Sequence, residues 1–235
     1  MVATLIAAAA LAKVNCRAGE PAGAALPTWT ARGDEIAFTV PQDEAGLIAL
    51  ARPGAARATG RWLSYDSAPQ ILKASPVGEL LASQKRTGAI DVIGFGRIGG
   101  GEELVHAEFG KQTELGDWSR DGRRLVFARD GHIHVLDVAT GEIHYLVDGQ
   151  HPTWSPDGLT IAYAVGDELR EVGPDGGPAR TIATADTQIA TIAWSPDGTR
   201  LAFLGKVIGI VTRFGGKPLY TAPALPPLAP TACMA

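Results

Sequence analysis

The 235-residue chain is poor in the features that usually announce chemistry. Two cysteines, Cys16 and Cys233, are too few for a disulfide framework and cannot hold a zinc ion by themselves; they read as two unpaired small hydrophobes. No run of about 18 apolar residues occurs, so no transmembrane segment is expected. Charge is sparse as well: 20% of residues are charged, the net charge is −4 and no basic run is longer than the Arg123-Arg124 pair. Phosphate binding needs clustered Lys and Arg, so no nucleic acid partner is expected. Neither a G-x-S-x-G elbow nor H-E-x-x-H nor a P-loop is present. "GFGRIG" at 94–99 has the glycines of a dinucleotide fingerprint, but it follows "AIDVI" in a predicted hairpin, and a dinucleotide site needs a strand followed by a helix.

The chain is rich in turn formers: 29 glycines and 16 prolines are spread along it. They are organised by a repeat. "WTARGDEIAF" starts at Trp29, "ASPVGELLAS" at Ala74, "WSRDGRRLVF" at Trp118, "WSPDGLTIAY" at Trp154 and "WSPDGTRLAF" at Trp194, spaced by 45, 44, 36 and 40 residues. A period near 40 is that of propeller blades. In "SPDG", Pro presets φ, Asp can bond backbone amides and Gly accepts positive φ. The strand after the turn alternates. Ile36 and Phe38, Leu125 and Phe127, Ile161 and Tyr163, and Leu201 and Phe203 share one face, with a small residue between each pair for the opposite face. "HIHVLDV" at 132–138 and "IHYLVD" at 143–148 supply a third and a fourth strand.

The predicted fold is therefore all-β: a single β-propeller domain over 1–235, built of four-stranded antiparallel blades. Trp29, Trp118, Asp121, Gly122, Trp154, Asp157, Gly158, Trp194, Asp197 and Gly198 are the structural repeat motif. A carboxylate recurring at one motif position serves turn capping rather than acid–base chemistry. The second copy departs from the pattern at Ala74, Val77 and Ser83, which predicts the least regular packing there.

"WSPDGLTIAY" and "WSPDGTRLAF" resemble the WD-like repeat of TolB-like β-propellers, a family that includes the propeller domains of tricorn-like and prolyl-oligopeptidase-like peptidases. The resemblance covers most of residues 27–223. It implies six blades, whereas five copies are visible. One expectation is a sixth blade shared between residues 1–28 and 225–235, which would close the ring and remove exposed edges; five blades is the alternative. On the shared-blade expectation "VATLIAAA" is the second strand of that blade, "LAKVN" the third and "AGAAL" the fourth, with the innermost strand from within "PPLAPTACMA". The other reading of "MVATLIAAAALAK" is a signal peptide over 1–12 with "ALA" before the cleavage point, although no basic residue precedes the apolar run.

Candidate ligand- or partner-binding residues are those expected in loops on the rim opposite the motif turns: Asp117, Arg129, Asp130, His151, Asp167, Asp186 and Gln188. His132 and His134 share a face, with His144 on the paired strand, a trio that could hold a metal; as outer-strand residues they read instead as solvated polar positions, and no metal or cofactor is expected. The resemblance implies a non-enzymatic scaffold, monomeric and extracytoplasmic (periplasmic or secreted), that binds a protein or small ligand on one propeller face. The alternatives are a propeller enzyme of lyase or lactonase type, for which His151 is the best-placed residue, and a gating propeller detached from a serine peptidase domain.

Overall fold

A computed structural model describes residues 25–42, 45–54, 63–65, 71–87, 90–97, 105–108 and 113–220. The expectations about both termini, the two cysteines and residues 1–12 fall outside these residues. Within them the chain is entirely strand and turn, in five four-stranded antiparallel sheets. The first pairs β1 (Ala25–Trp29), β2 (Ile36–Gln42), β3 (Ala45–Ala51) and β4 (Leu63–Tyr65) in that order. The second follows with β5 (Ile71–Ala74), β6 (Leu80–Thr87), β7 (Ile90–Arg97) and β8 (Val105–Glu108). The third holds β9 (Thr113–Trp118), β10 (Arg124–Arg129), β11 (His132–Asp137) and β12 (Ile143–Asp148). The fourth holds β13 (Gln150–Trp154), β14 (Ile161–Val165), β15 (Glu168–Val172) and β16 (Arg180–Thr184). The fifth holds β17 (Thr191–Trp194), β18 (Arg200–Leu204), β19 (Ile208–Thr212) and β20 (Leu219–Tyr220). Strands β1–β8 fall in one compact unit and β9–β20 in a second.

Each repeated motif closes the turn from the first to the second strand of its sheet. In the third, fourth and fifth sheets the turn glycine donates its N–H to the serine carbonyl three residues before it, at 2.9 Å each time, from Gly122 to Ser119, Gly158 to Ser155 and Gly198 to Ser195. These glycines have φ of 68°, 75° and 69°, the left-handed region that a side chain would strain. The motif aspartate completes a clasp. Ser119 Oγ donates to Asp121 Oδ1 at 2.6 Å, and that oxygen also accepts the Arg123 N–H. The same arrangement recurs at Ser155–Asp157–Leu159 and Ser195–Asp197–Thr199. In the second copy, where Val77 replaces the aspartate, Ser75 Oγ donates to the Val77 carbonyl instead.

Packing follows from the alternation along the second strand. Val126, the small position of the third sheet, lies with Ile133 and Val135 against Trp154, Ile161, Tyr163 and Val172 of the fourth. Ala162, the small position of the fourth, lies among Leu201, Phe203 and Val211 of the fifth. Ala37 of the first meets Leu72 and Leu81 of the second. The large-residue face of each of these sheets thus fills the small-residue face of the sheet before it. A fully buried Leu, Ile or Phe in such a layer contributes about 1.5–3 kcal/mol. In the second copy Ser83 is buried with its hydroxyl unpartnered among the described residues, while Phe95 of β7 is fully buried two residues from Ile93. Gly94–Arg97 of "GFGRIG" lie within β7, paired antiparallel to β6 and β8 and not before a helix.

Candidate functional site

In the unit formed by β9–β20, the strand ends opposite the motif turns are stitched together by backbone bonds. Gly149 N–H reaches the Gly131 carbonyl at 2.8 Å, so the β10–β11 turn meets the link from β12 to β13. Ala185 and Ile189 donate to the carbonyls of Asp167 and Gly166, which joins the β14–β15 turn to the link between β16 and β17. Lys206 N–H then bonds Thr187 Oγ1 at 3.2 Å and ties the fifth sheet to the fourth.

Asp130, Asp167, Asp186 and Gln188 are exposed in these turns. Asp130 has φ of 52°, and the Asp186 N–H is held by the Tyr220 hydroxyl at 3.0 Å. Arg129 ends β10 opposite His132. Asp117 is a correction: β9 runs on through Trp118, which places Asp117 one residue from the motif turn rather than in the opposite loops. Its Oδ2 accepts the Thr153 hydroxyl at 2.6 Å, a bond between neighbouring inner strands.

His151 is the best-defined of the predicted residues. The register of β13 on β14 slips between Gln150 and Thr153, a bulge that takes up His151 and Pro152. His151 sits there at φ 54°, a conformation that costs a non-glycine residue about 1–3 kcal/mol. Both oxygens of Glu114 on the adjacent inner strand hold it. Oε2 accepts the His151 backbone N–H at 3.2 Å, and Oε1 lies 2.8 Å from Nδ1. This grip fixes the ring through Nδ1, so that Nε2 is the ring nitrogen Glu114 does not engage. Gly116, between Glu114 and Asp117, lets the strands approach: a Cβ there would stand 2.6 Å from the Pro152 carbonyl oxygen and 2.7 Å from that of Val126.

The histidine trio does not assemble. A bulge between Ile133 and His134 shifts the pairing of β12, so that His134 opposes Tyr145 while His144 opposes Val135 and takes the other face. His134 is not a solvated outer residue either. It is 7% exposed and stacks on Phe127 with ring centroids 5.3 Å apart. Burial, with the positive charge of Arg129 nearby, holds its pKa below the ordinary histidine value. His132 pairs instead with Asp148, Nδ1 to Oδ1 at 2.7 Å, and the Tyr145 hydroxyl donates to the same oxygen. Among the described residues no group of three or more His, Cys, Asp or Glu is arranged to hold a metal.

The motif end differs in chemistry. Asp121, Asp157 and Asp197 are all engaged by their clasps, Asp157 by Arg213 as well, and their pKa values are lowered. For Asp157, burial pushes upward, but the Ser155 hydroxyl, the Arg213 guanidinium and the Leu159 amide outweigh it and hold the group at about 2. For Asp197 the Ser195 hydroxyl is the main cause, again giving about 2. Two arginines clamp neighbouring sheets here. Arg124 bonds Asp175 at 2.7 Å and lies over the Trp154 ring, and Arg213 bonds Asp157 at 2.5 Å and lies over Trp194. Sequence reasoning missed Glu114, Thr153, Arg124 and Arg213. The one available signal was a second carboxylate, Glu114, on the same inner strand as Asp117.

Among the described residues no helix is long and apolar enough to cross a membrane. No family model matches the chain, and no curated protein matches its sequence. Solved structures do. TolB from Acinetobacter baumannii superposes with a TM-score of 0.62 at 17% identity, over 83% of this chain and 53% of that one. A TolB structure from Agrobacterium tumefaciens gives 0.60 at 18% identity, over 83% and 79%. The hydrazine synthase of Kuenenia stuttgartiensis gives 0.61 at 14% identity, over 84% and 66%. The chain spans about half the length of the Acinetobacter protein. At such identities the likeness establishes architecture alone: the chain has a TolB-like β-propeller fold.

Proposed function

We propose that this chain is a non-enzymatic propeller scaffold that binds a protein or small ligand at the strand ends opposite the motif turns, in an extracytoplasmic compartment. The observation that carries the reading is the Glu114–His151 pair. A strained backbone position is retained there, and the carboxylate spends both oxygens on orienting one imidazole. The exposed carboxylates of Asp130, Asp167 and Asp186, in the turns at these strand ends, favour a partner bearing basic groups and a hydrogen-bonding group for Nε2. The test is a fluorescence-anisotropy series with basic, neutral and acidic peptides of equal length. Basic peptides are expected to bind best, with affinity falling at least about tenfold in the triple Asp130→Asn, Asp167→Asn, Asp186→Asn variant and in His151→Ala. Equal binding by the unmodified and the altered rim would overturn the proposal.

The same pair supports a second reading, because a carboxylate-oriented imidazole is the apparatus of a general base. An enzyme of the lactonase or lyase type would lose turnover of a lactone or uronate panel in both His151→Ala and Glu114→Gln. A scaffold shows no turnover to lose.

A further inference from the structure

The three most exposed large apolar side chains among the described residues are Phe214, Leu219 and Leu159, at 86%, 75% and 66%. All three belong to the motif end of the β9–β20 unit. Phe214 and Leu219 bracket the β19–β20 turn. Leu159 stands in the motif turn of the fourth sheet, between Asp157 and Thr160, the two residues that hold the Arg213 guanidinium. Exposed apolar residues scattered singly need no explanation, but three on adjacent turns do.

The chain on both sides of Phe214 is fixed. Arg213 Nη1 donates to Asp157 and Nη2 to Thr160, its guanidinium covers the Trp194 ring, and its carbonyl accepts Arg180 Nη2 at 2.8 Å. Gly215 N–H donates to the Thr212 carbonyl at 3.0 Å, and the Thr212 hydroxyl donates to the Gly215 carbonyl at 2.6 Å. The backbone that carries the ring is therefore ordered before anything binds, which lowers the entropy cost of using it.

Charge at this end is divided unevenly. Arg124–Asp175, Arg180–Glu171 and Arg213–Asp157 pair off, and the Asp121 and Asp197 carboxylates are engaged by their clasps. Arg120 and Arg123 in the third sheet's motif turn, Arg200 after the fifth sheet's, and Lys217 before Leu219 are exposed, and none has an ion pair among the described residues. Arg120 adjoins the turn of Leu159: a Cβ on Gly158 would stand 3.3 Å from that of Arg120. Of the carboxylates at this end only Glu142, on the outer turn of the third sheet, has no partner among the described residues. The opposite strand ends instead expose Asp130, Asp167 and Asp186, which an anionic surface repels.

We propose that the motif end of the fourth and fifth sheets docks on an anionic lipid bilayer. Phe214, Leu219 and Leu159 enter the boundary between headgroups and acyl chains, and the four cations meet the lipid phosphates around them. A bilayer yields around side chains that stand clear of the protein surface, whereas an acidic peptide needs them to line a groove. At these exposures they stand clear. The contact is separate from the Glu114–His151 end and does not depend on it.

Co-sedimentation of the full chain with vesicles tests this, comparing phosphatidylcholine alone with phosphatidylcholine containing about one third phosphatidylglycerol. Binding is expected only to the anionic vesicles. Phe214→Ser should weaken it at least about tenfold. The quadruple variant Arg120→Gln, Arg123→Gln, Arg200→Gln, Lys217→Gln should weaken it at least about 100-fold. Phe214→Ser should leave basic-peptide binding at the opposite strand ends unchanged. In a Cys16→Ser, Cys233→Ser background, an environment-sensitive dye on Phe214→Cys should shift its emission to the blue with anionic vesicles, as the dye leaves water. Absence of binding to anionic vesicles, or binding that Phe214→Ser leaves intact, would overturn the proposal. Tighter binding of polyglutamate than of vesicles, with the same dependence on Phe214, would overturn it too, by assigning the surface to an acidic protein segment. Circular dichroism checks that each variant keeps its sheets; should Phe214→Ser lose them, Leu159→Ser and the dye shift decide the question.

Discussion

Asp157 offers the most direct test of how the sheets are held together. Its carboxylate accepts the Ser155 hydroxyl and the Leu159 N–H within its own turn, and Arg213 from the fifth sheet through its other oxygen. The shift from 3.8 to about 2 means that the ionised form is favoured in the folded state. Converted at about 1.36 kcal/mol per unit, this is roughly 2.4 kcal/mol. The side chain is 35% exposed, so solvent screening reduces the expected contribution to about 1–1.5 kcal/mol. Because the folded value is depressed, this stability is fully present above the unfolded value near 3.8 and is lost as pH falls through about 2. Urea titrations of the unmodified protein and Asp157→Asn should therefore differ by about 1–1.5 kcal/mol at pH 7, with the gap closing as pH falls from 4 toward 2. Arg213→Gln should show the same convergence. A gap that is equally wide at pH 7 and pH 2 would refute the argument, since it would then come from shape and not from charge.

Three further outcomes follow from the packing. His134 is buried with a depressed pKa, so the unfolded chain binds the extra proton and stability should fall as pH drops below about 6.5, levelling off below the folded value; an NMR titration placing His134 at or above 6.5 would contradict the burial argument. Gly116→Ala forces a methyl group against two carbonyl oxygens and should cost about 3 kcal/mol in a urea midpoint analysis, whereas full tolerance would mean that β9 and β13 are not packed as described. At His151, where φ is positive, Gly should be more stable than Ala by about 1 kcal/mol, which separates backbone strain from the loss of the imidazole.

The turn chemistry was legible because it is local. Ser, Asp and Gly two or three residues apart make every bond of the clasp, so the letters and the geometry carry the same information. The strand alternation was legible for a similar reason, and the small residue between two large ones does face the neighbouring sheet. The histidine trio failed on a single residue. One bulge in β12 exchanges the faces of His144 and Tyr145, and no pattern of period two reveals where a bulge will fall. Asp117 was misplaced because the end of an inner strand looks the same in sequence as the loop leading into it.

Glu114 and His151 mark the deeper limit. They are 37 residues apart, nearly one repeat, so their meeting depends on two inner strands lying side by side and on a bulge that turns one side chain toward the other. The repeat itself works against finding such a pair. Positions that recur are those every blade needs, and they gather at the motif turns, where the carboxylates are spent on capping. Positions that occur once are free of that duty and can serve a partner, yet they leave no periodic trace. The equivalents of Glu114 one and two repeats later are Gln150 and Ala190, neither of which has a carboxylate to repeat the grip on His151. Function in this fold is therefore best sought where the repeat falls silent, with spatial neighbours one period apart as the pairs to examine.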